Sequence, residues 1–336
     1  MSTPPGLGPH CVGQRVVVRR VLRGRTGPSG GPAMTDLLGV METWQPPTTT
    51  VRAEDGSVTE IAVADIVSGK PVPPRPSPRM RVSPERACRL SNASWPAVHV
   101  EEVGDWLLRA SGGFSARANS VMAVGDPGLP FPEAVERALS FYAGHGLPAW
   151  AQVVVGSEDA AWFEDAGWVL ARPGEADSEF QLGSVAQASR EVRRLLPVTA
   201  PPAEVSATVT QAWLANDARA LAHPEDAVAV LEGPDQVGFV SVLEDDVVVA
   251  KGRVATDGDW AGITDVWVSP GHRRQGLGLV VLDALLEWAA ERGARTAYLQ
   301  VRADNAPGLA LYATLGFRTH HTYRYLAAPT SQQPGD

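Results

Sequence analysis

Hydrophobic and polar positions follow two rhythms along this chain, and the change between them divides it. Up to about residue 72, short runs rich in Val, Leu and Thr stand between Gly-, Pro-, Ser- and Asp-containing turns, the pattern of strands. Residues 14–22 predict a strand with basic outward positions, and residues 36–44, 48–53 and 58–64 predict further strands. Residues 26–33 read as a Gly/Pro/Ser loop, and Asp55-Gly56 supplies a hairpin turn between the last two strands. Short strands this dense predict a small all-β, SH3-like barrel over residues 10–72. Such a module is either a structural or protein-contact unit or a reader of peptide or RNA. Residues 1–9 are expected to be disordered.

Pro71, Pro73, Pro74, Pro76 and Pro78 then stiffen the chain into an extended linker, residues 73–82. Beyond it, helical and strand periods alternate. Ser83-Pro84-Glu85 opens a helix, with Ser as cap, Pro in the first turn and Glu beside it. Residues 100–110 and 118–124 predict strands around the turn Ser111-Gly112-Gly113. An amphipathic helix over 132–145 closes at Gly146, followed by a strand at 149–155, a helix at 157–166 and a strand starting at 167. Residues 174–202 are polar and Pro-punctuated apart from a short helix near 186–196, and mark a second boundary. After it come a strand (205–210), a helix (211–221), and a hairpin of 237–244 with 247–255 across Asp245-Asp246. A helix over 274–292 is apolar at Leu277, Val281, Leu282, Leu285 and Trp288. Its carboxylates Asp283, Glu287 and Glu291 stand four apart on the opposite face, the pattern of a solvated side. A strand (296–301), a helix (305–315), a last strand (317–326) and a disordered polar tail (328–336) complete the expectation.

The candidate chemistry sits where one of these strands meets the long helix. Val266, Trp267 and Val268 end a strand, Ser269-Pro270-Gly271 breaks it, and Arg273-Arg274-Gln275-Gly276-Leu277-Gly278 leads into the helix. The first N–H groups of a helix lack internal partners and the helix dipole is positive there. Two glycines let an anion approach the backbone, and two arginines add charge. A Walker loop needs Gly-Lys-Ser/Thr, which is absent. A Rossmann fingerprint needs a small residue where Val281 stands and an acidic residue about 20 positions on, after a second strand.

What fits is the (Arg/Gln)-x-x-Gly-x-(Gly/Ala) turn, preceded by a strand ending Val-x-Val-x-Pro and followed by a second short helix ending Leu-Tyr-x-x-Leu-Gly-Phe. The chain here resembles the GNAT superfamily of acetyl-CoA-dependent N-acetyltransferases. The segment from Leu299 to Phe317 is similar to that of ribosomal-protein N-terminal acetyltransferases. The resemblance implies an α/β chain in the broad sense, an α+β fold with a mixed central sheet. Residues 200–327 would be a catalytic half. Residues 83–185 resemble a degenerate second half that does not bind CoA: where its phosphate turn would stand is Gly125-Asp126-Pro127-Gly128-Leu129-Pro130.

By resemblance, Val266, Trp267 and Val268 would offer backbone groups to the acetyl and pantetheine portions of acetyl-CoA. Arg273, Arg274, Gln275, Gly276, Leu277 and Gly278, with Leu279 behind them, would wrap its pyrophosphate. Asn305 would contact the cofactor where the strands splay, and Tyr312 would protonate the departing thiolate. The Val268 N–H is the candidate for stabilising charge on the carbonyl oxygen. An attacking amine must lose a proton, and the Glu base of the ribosomal-protein enzymes is replaced by Gln300. Asp265, Asp304 or Glu244 acting through water, or an amine that arrives neutral, are the alternatives. Arg117 and Asn119 alternate on a predicted strand: they either hold substrate in a shared cleft, as Gln300 would, or form an ordinary strand edge. His272 adjoins the turn and either touches phosphate or faces solvent. His320 and His321 are adjacent and are expected to face opposite ways.

Composition narrows the partners. The chain has 336 residues, is 44% hydrophobic and 20% charged, and carries a net charge of −9. That length suits two or three domains, and the acidic balance argues against a broad nucleic-acid surface. The sequence offers no apolar run of the roughly 20 residues a membrane span needs. The first residues lack a signal-peptide pattern, and Cys11 and Cys88 are too isolated for a disulfide framework or a metal site. A reduced, cytoplasmic protein is expected, without a metal. Its expected partner is a primary amine on a small molecule or a protein, with protein contact through the N-terminal barrel as a further option. A mycothiol-synthase-like enzyme, an acyl-CoA-binding regulator without turnover, and an adaptor working through the barrel are the other readings.

Overall fold

The structure, a computed structural model, describes residues 6–27, 30–53, 55–72 and 77–329. The expectations for residues 1–5, for Pro73, Pro74 and Pro76 of the linker, and for the tail from 330 onward lie outside the described residues. The chain divides into two compact units between Ser77 and Pro78.

The first unit is a five-stranded antiparallel sheet. Its strands are β1 (Arg15–Thr26), β2 (Pro32–Gln45), β3 (Thr48–Ala53), β4 (Val58–Ala62) and β5 (Ile66–Pro71), in the order β4-β3-β2-β1-β5. Val16, Val18, Met41, Val51, Ile61 and Ile66 close its core with Leu7 and Cys11. On β1, Val16 and Val18 are buried and Val17 between them is not, as strand alternation requires. The fifth strand escapes the sequence pattern because Ile66 is its only buried residue and it runs straight into the prolines.

The second unit is built on one continuous sheet. Three antiparallel strands come first: β6 (His99–Val103) and β7 (Trp106–Ala110), then the short β8 (Val121–Met122). The single strand expected over 100–110 is thus a hairpin, turning at Gly104, whose φ of +53° a residue with a side chain rarely adopts. The remaining strands are β9 (Trp150–Val154), β10 (Val169–Leu170), β11 (Ser178–Ser184), β12 (Glu204–Ser206), β13 (Val237–Glu244), β14 (Val247–Asp257), β15 (Trp260–Val268), β16 (Thr296–Arg302) and β17 (Arg318–Ala327). They lie in the order β12-β13-β14-β15-β16-β11-β17-β9-β8-β7-β6, with β10 also on β17.

Helices cover this sheet: α1 (Pro84–Ala93), α2 (Phe131–Gly144), α3 (Glu158–Asp165), α4 (Val185–Leu195), α5 (Gln211–Leu214), α6 (Ala218–Ala222), α7 (Pro224–Glu232), α8 (Leu277–Glu291) and α9 (Ala306–Thr314). The Ser83 hydroxyl accepts from Arg86 N, as its place before Pro84 predicts. The helix expected over 211–221 is two short helices, because the Asp217 carboxylate caps a new start at Arg219 N.

The polar stretch read as a boundary contains a central strand. β11 pairs with β16 on one side and β17 on the other, and Phe180 and Leu182 are buried. β17 in turn pairs with β9. The strand at the end of the first half thus sits inside the second half's sheet, and the last strand of the chain reaches into the first half's. Val281, Leu282, Leu285 and Leu286 of α8 pack with Val254, Ile263, Ala297 and Leu299 to form the core beneath the candidate site.

Candidate active site

β15 and β16 run parallel and pair from Trp260↔Thr296 to Ile263↔Leu299, then separate. The cause lies on the other edge of β15. Thr264 pairs with Arg253 and Trp267 with Lys251, so Asp265 and Val266 together oppose Gly252 alone. This β-bulge twists the strand away from β16. Asp265 takes a φ of +53° there, a conformation that Asp tolerates better than most side chains. A Cβ on Gly252 would stand 2.7 Å from Val281 Cγ1 and 2.8 Å from Leu285 Cδ1, so α8 can press on the sheet only if that residue is glycine. A cavity of about 370 Å³ opens in the splay, lined by Thr264, Asp265, Val266, Gln300, Asn305 and Tyr312 among others.

Above the splay the chain turns through Pro270–His272 into α8. Arg274 (φ +66°) and Gly276 (φ +84°) are left-handed. Among the described residues, the backbone N–H groups from 274 to 278 meet no acceptor. Five adjacent unbonded donors at a helix N-terminus make a cradle for an anion. Arg273 folds back, its Nε donating to Val268 O at 3.3 Å, and Gln275 Nε2 donates to Gly271 O at 3.2 Å. Ser269 N donates to Val249 O on β14. By strand alternation the neighbouring Val268 N–H points the other way, to the splayed side.

The other expected residues converge on the same cleft. Tyr312, on α9, lies edge-on to Phe317, and burial pushes its hydroxyl up to about 12. Asn305 caps α9, accepting from Gly308 N at 3.1 Å, and lines the cavity. Gln300 Oε1 accepts from the Tyr323 hydroxyl at 3.1 Å, while its Nε2 is buried with no partner. Asp265 Oδ1 accepts from Arg219 Nη2 at 3.2 Å, and its Oδ2 is buried and unbonded.

A second cavity, about 270 Å³, meets the first at Thr264, Asp265, Gln300 and Arg302. Its further wall is Trp95, Arg117, Arg172, Arg219, Tyr323 and Tyr325, with Ser115 and Ser178. Arg117 is thus in the cleft. Asn119 is not among its lining residues: its amide accepts from Ser111 N and Gly113 N and donates to Ser111 O and Ser115 O, holding a turn rather than a strand. Trp95, Arg172, Arg219 and Tyr323 went unmarked in the sequence because no local motif joins residues so far apart.

Other candidates resolve differently. Asp304 is exposed and paired with Arg302 at 2.6 Å, and Glu244 meets His272 Nε2 at 2.6 Å. His320 and His321 do touch, Nδ1 to Nδ1 at 2.8 Å, against the alternation rule. Phe180 opposes His321 while Gln181 opposes Thr319, so His320 is the extra residue of a bulge. Asp283 and Glu287 of α8 face Arg193 at 3.5 and 3.4 Å. Among the described residues, no three His, Cys, Asp or Glu side chains are placed to hold a metal, and no helix is long and apolar enough to cross a membrane.

Comparison with known proteins gives two family matches. Residues 85–326 match the C-terminal model of probable histone acetyltransferase Rv0428c, and residues 10–70 match the Rv0428c N-terminal Sm-like domain. The first unit is therefore Sm-like rather than SH3-like. Short strands between turns fit either small β-fold, and the strand the sequence pattern missed, β5, completes the five. The Mycobacterium tuberculosis protein named probable histone acetyltransferase Rv0428c is 27% identical over 98% of this chain and 97% of its own length. An uncharacterized N-acetyltransferase of Bacillus subtilis, YobR, is 28% identical over 70% of this chain and 96% of its own. Among solved structures, a tandem GNAT protein from the clavulanic acid biosynthesis pathway superimposes with a TM-score of 0.50 at 16% identity, over 65% of this chain and 76% of its own. At that identity the likeness is one of fold.

Proposed function

This chain belongs to the Rv0428c family of GNAT N-acetyltransferases, and on that premise we propose that it moves an acetyl group from acetyl-CoA directly to a primary amine while both are bound. Acetyl-CoA, when bound, supplies the acetyl group and a thiol leaving group. The N–H groups of residues 274–278 hold its pyrophosphate, with Arg273 and Arg274 beside them. Val266 and Trp267 flank the splay that receives the pantetheine arm, and Asn305 borders it.

The observation that carries this reading is the junction of the two cavities at Asp265 and Gln300, where Asp265 Oδ2 is buried and unbonded. The amine enters from the second cavity and loses its proton to that oxygen. The Val268 N–H donates to the carbonyl oxygen as negative charge grows on it. Gln300, held by Tyr323, cannot accept a proton, and its free Nε2 donates to the acceptor. Tyr312, a phenol protonated at neutral pH and made more so by burial, delivers its proton to the sulfur.

Initial-rate measurements test direct transfer. Varying acetyl-CoA and amine together gives intersecting lines, and acetyl-CoA alone leaves the protein unacetylated. Parallel lines with an acetylated protein would mean a covalent intermediate and would overturn the proposal.

A further inference from the structure

The second cavity carries a charge pattern that narrows the acceptor, provided the acetyl-transfer reading above holds. Four arginines line it: Arg117, Arg172, Arg219 and Arg302. Three have carboxylate partners. Arg219 pairs with Asp217 and Asp265, Arg302 with Asp304 and Glu175, and Arg172 with Glu175. Arg117 has none among the described residues. Its guanidinium lies 4.8 Å from the Trp95 ring centroid, and its Nε is buried without a hydrogen bond.

Among the described residues, a second guanidinium near the same ring also has no carboxylate hydrogen-bonded to it. Arg253 is fully buried and lies 5.2 Å from the same Trp95 ring. Its donors reach only neutral acceptors, Leu231 O, Ser94 O and Thr264 Oγ1, and its Nη2 is unbonded. The indole that both approach is fixed by its Nε1 donating to Ser115 Oγ at 3.1 Å. Burial costs Arg253 enough to lower its pKa to about 10, which the charge of Asp265 opposes. The electron-rich face of the indole answers part of such charge, but two guanidinium groups on one ring leave a positive field that an anion in the cavity offsets.

We propose that Arg117, set on Trp95, is the anchor for an anionic group, so that the acceptor is a small primary amine carrying its own carboxylate or phosphate. Such a molecule lies with its ammonium toward Asp265 and its anion on the guanidinium fork, which matches both kinds of oxyanion. A cavity of about 270 Å³ suits a small metabolite. A polycationic acceptor brings like charge against Arg117, with Asp265 the one carboxylate among the lining residues.

The test is a panel of matched amines with wild type, Arg117→Gln and Arg117→Lys. Phosphoethanolamine is set against ethanolamine, β-alanine against β-alaninamide, with a lysine-rich peptide as the cationic member. Thiol release gives kcat/KM, and calorimetry on the same samples gives acetyl-CoA affinity. In wild type, anionic amines should exceed their neutral partners by about 10- to 100-fold, the worth of a charge-assisted bond. Arg117→Gln should erase that preference and Arg117→Lys restore part of it. The phosphate and carboxylate pairs decide between the two anions. Neutral or cationic amines used as well as anionic ones, or no turnover of any anionic amine by protein that binds acetyl-CoA, would overturn the inference alone. Failure to bind acetyl-CoA would instead remove the activity it rests on.

Discussion

Arg219 grips one oxygen of Asp265 and leaves the other bare: Nη2 lies 3.2 Å from Oδ1, and Oδ2 is buried with no partner. The same Nη2 donates to Asp217 Oδ2 at 2.7 Å and Nε donates to Asp217 Oδ1 at 3.0 Å, so Asp217 fixes the guanidinium. Asp265 is thereby held in one orientation at the junction of the two cavities, on a bulge that costs it a left-handed backbone. If it accepts the amine proton, Asp265→Asn should lower kcat by about 100-fold or more while acetyl-CoA affinity changes little. Steady-state rates beside a cofactor titration check this. Full activity in the Asn variant would pass the role to water or to a pre-neutral amine.

On the proposed mechanism, Tyr312 returns a proton to the sulfur. Its hydroxyl, pushed up to about 12 by burial, stays protonated across the physiological range. Tyr312→Phe should reduce kcat by about 10- to 100-fold, at or below the low end of general-acid contributions, with the amine KM nearly unchanged. A thiolate leaves tolerably unaided, so complete loss of activity is not expected. An unaltered kcat would reduce the residue to packing against Phe317.

The strand exchange has a direct consequence for folding. Fragments covering 83–185 and 200–327 each carry a strand that belongs in the other's sheet: β11 lies between β16 and β17, and β17 lies against β9. Each fragment alone would expose unpaired strand edges. Expressed separately, both should be insoluble or lack a cooperative unfolding transition, whereas co-expression should recover a complex. A folded, monomeric 200–327 fragment would contradict the shared sheet.

His321 should make stability depend on pH. Burial, and His320 beside it, lower its pKa to about 4 in the folded protein, against about 6.5 when unfolded. The unfolded chain then binds more protons as pH falls, so the stability of keeping His321 neutral is complete above about 6.5 and lost toward 4. The loss amounts to at most about 3 kcal/mol. Asp159, raised to about 6 by burial, acts with the opposite sign in the same window. The readout is therefore the difference between wild type and His321→Phe, which keeps the stack on Phe180. The variant's unfolding midpoint should fall less steeply from pH 6.5 to 4, and parallel curves would contradict the assignment.

Features legible in the sequence were those written in local chemistry. The Ser83 cap, the residues 273–278 and the amphipathic α8 each depend on neighbours a few positions away. β11 was not legible because its seven residues include Glu179, Gln181 and two serines, and its burial comes from strands more than a hundred residues later. The His320 bulge depends on register with that same strand. Alternation put Arg117 and Asn119 on one face of a strand, either in a cleft or at an edge, and the turn at 112–120 does not follow it. The acceptor wall gathers Trp95, Arg117, Arg172, Arg219 and Tyr323 through tertiary folding, which no spacing encodes.

The central claim is that residues 273–278 bind the pyrophosphate of acetyl-CoA. Gly276 is a poor probe, because its φ is +84° and an added Cβ would stand 2.6 Å from Pro197 Cγ. Gly278 is better: a Cβ there meets nothing nearer than Val268 Cγ2 at 3.8 Å, and an acidic residue suits the first turn of a helix. Calorimetric titration of acetyl-CoA into wild type and Gly278→Asp is therefore the most direct measurement. Micromolar binding by wild type that is lost in an equally stable variant is the predicted result. Equal binding by both proteins, or none by folded wild type, would contradict it.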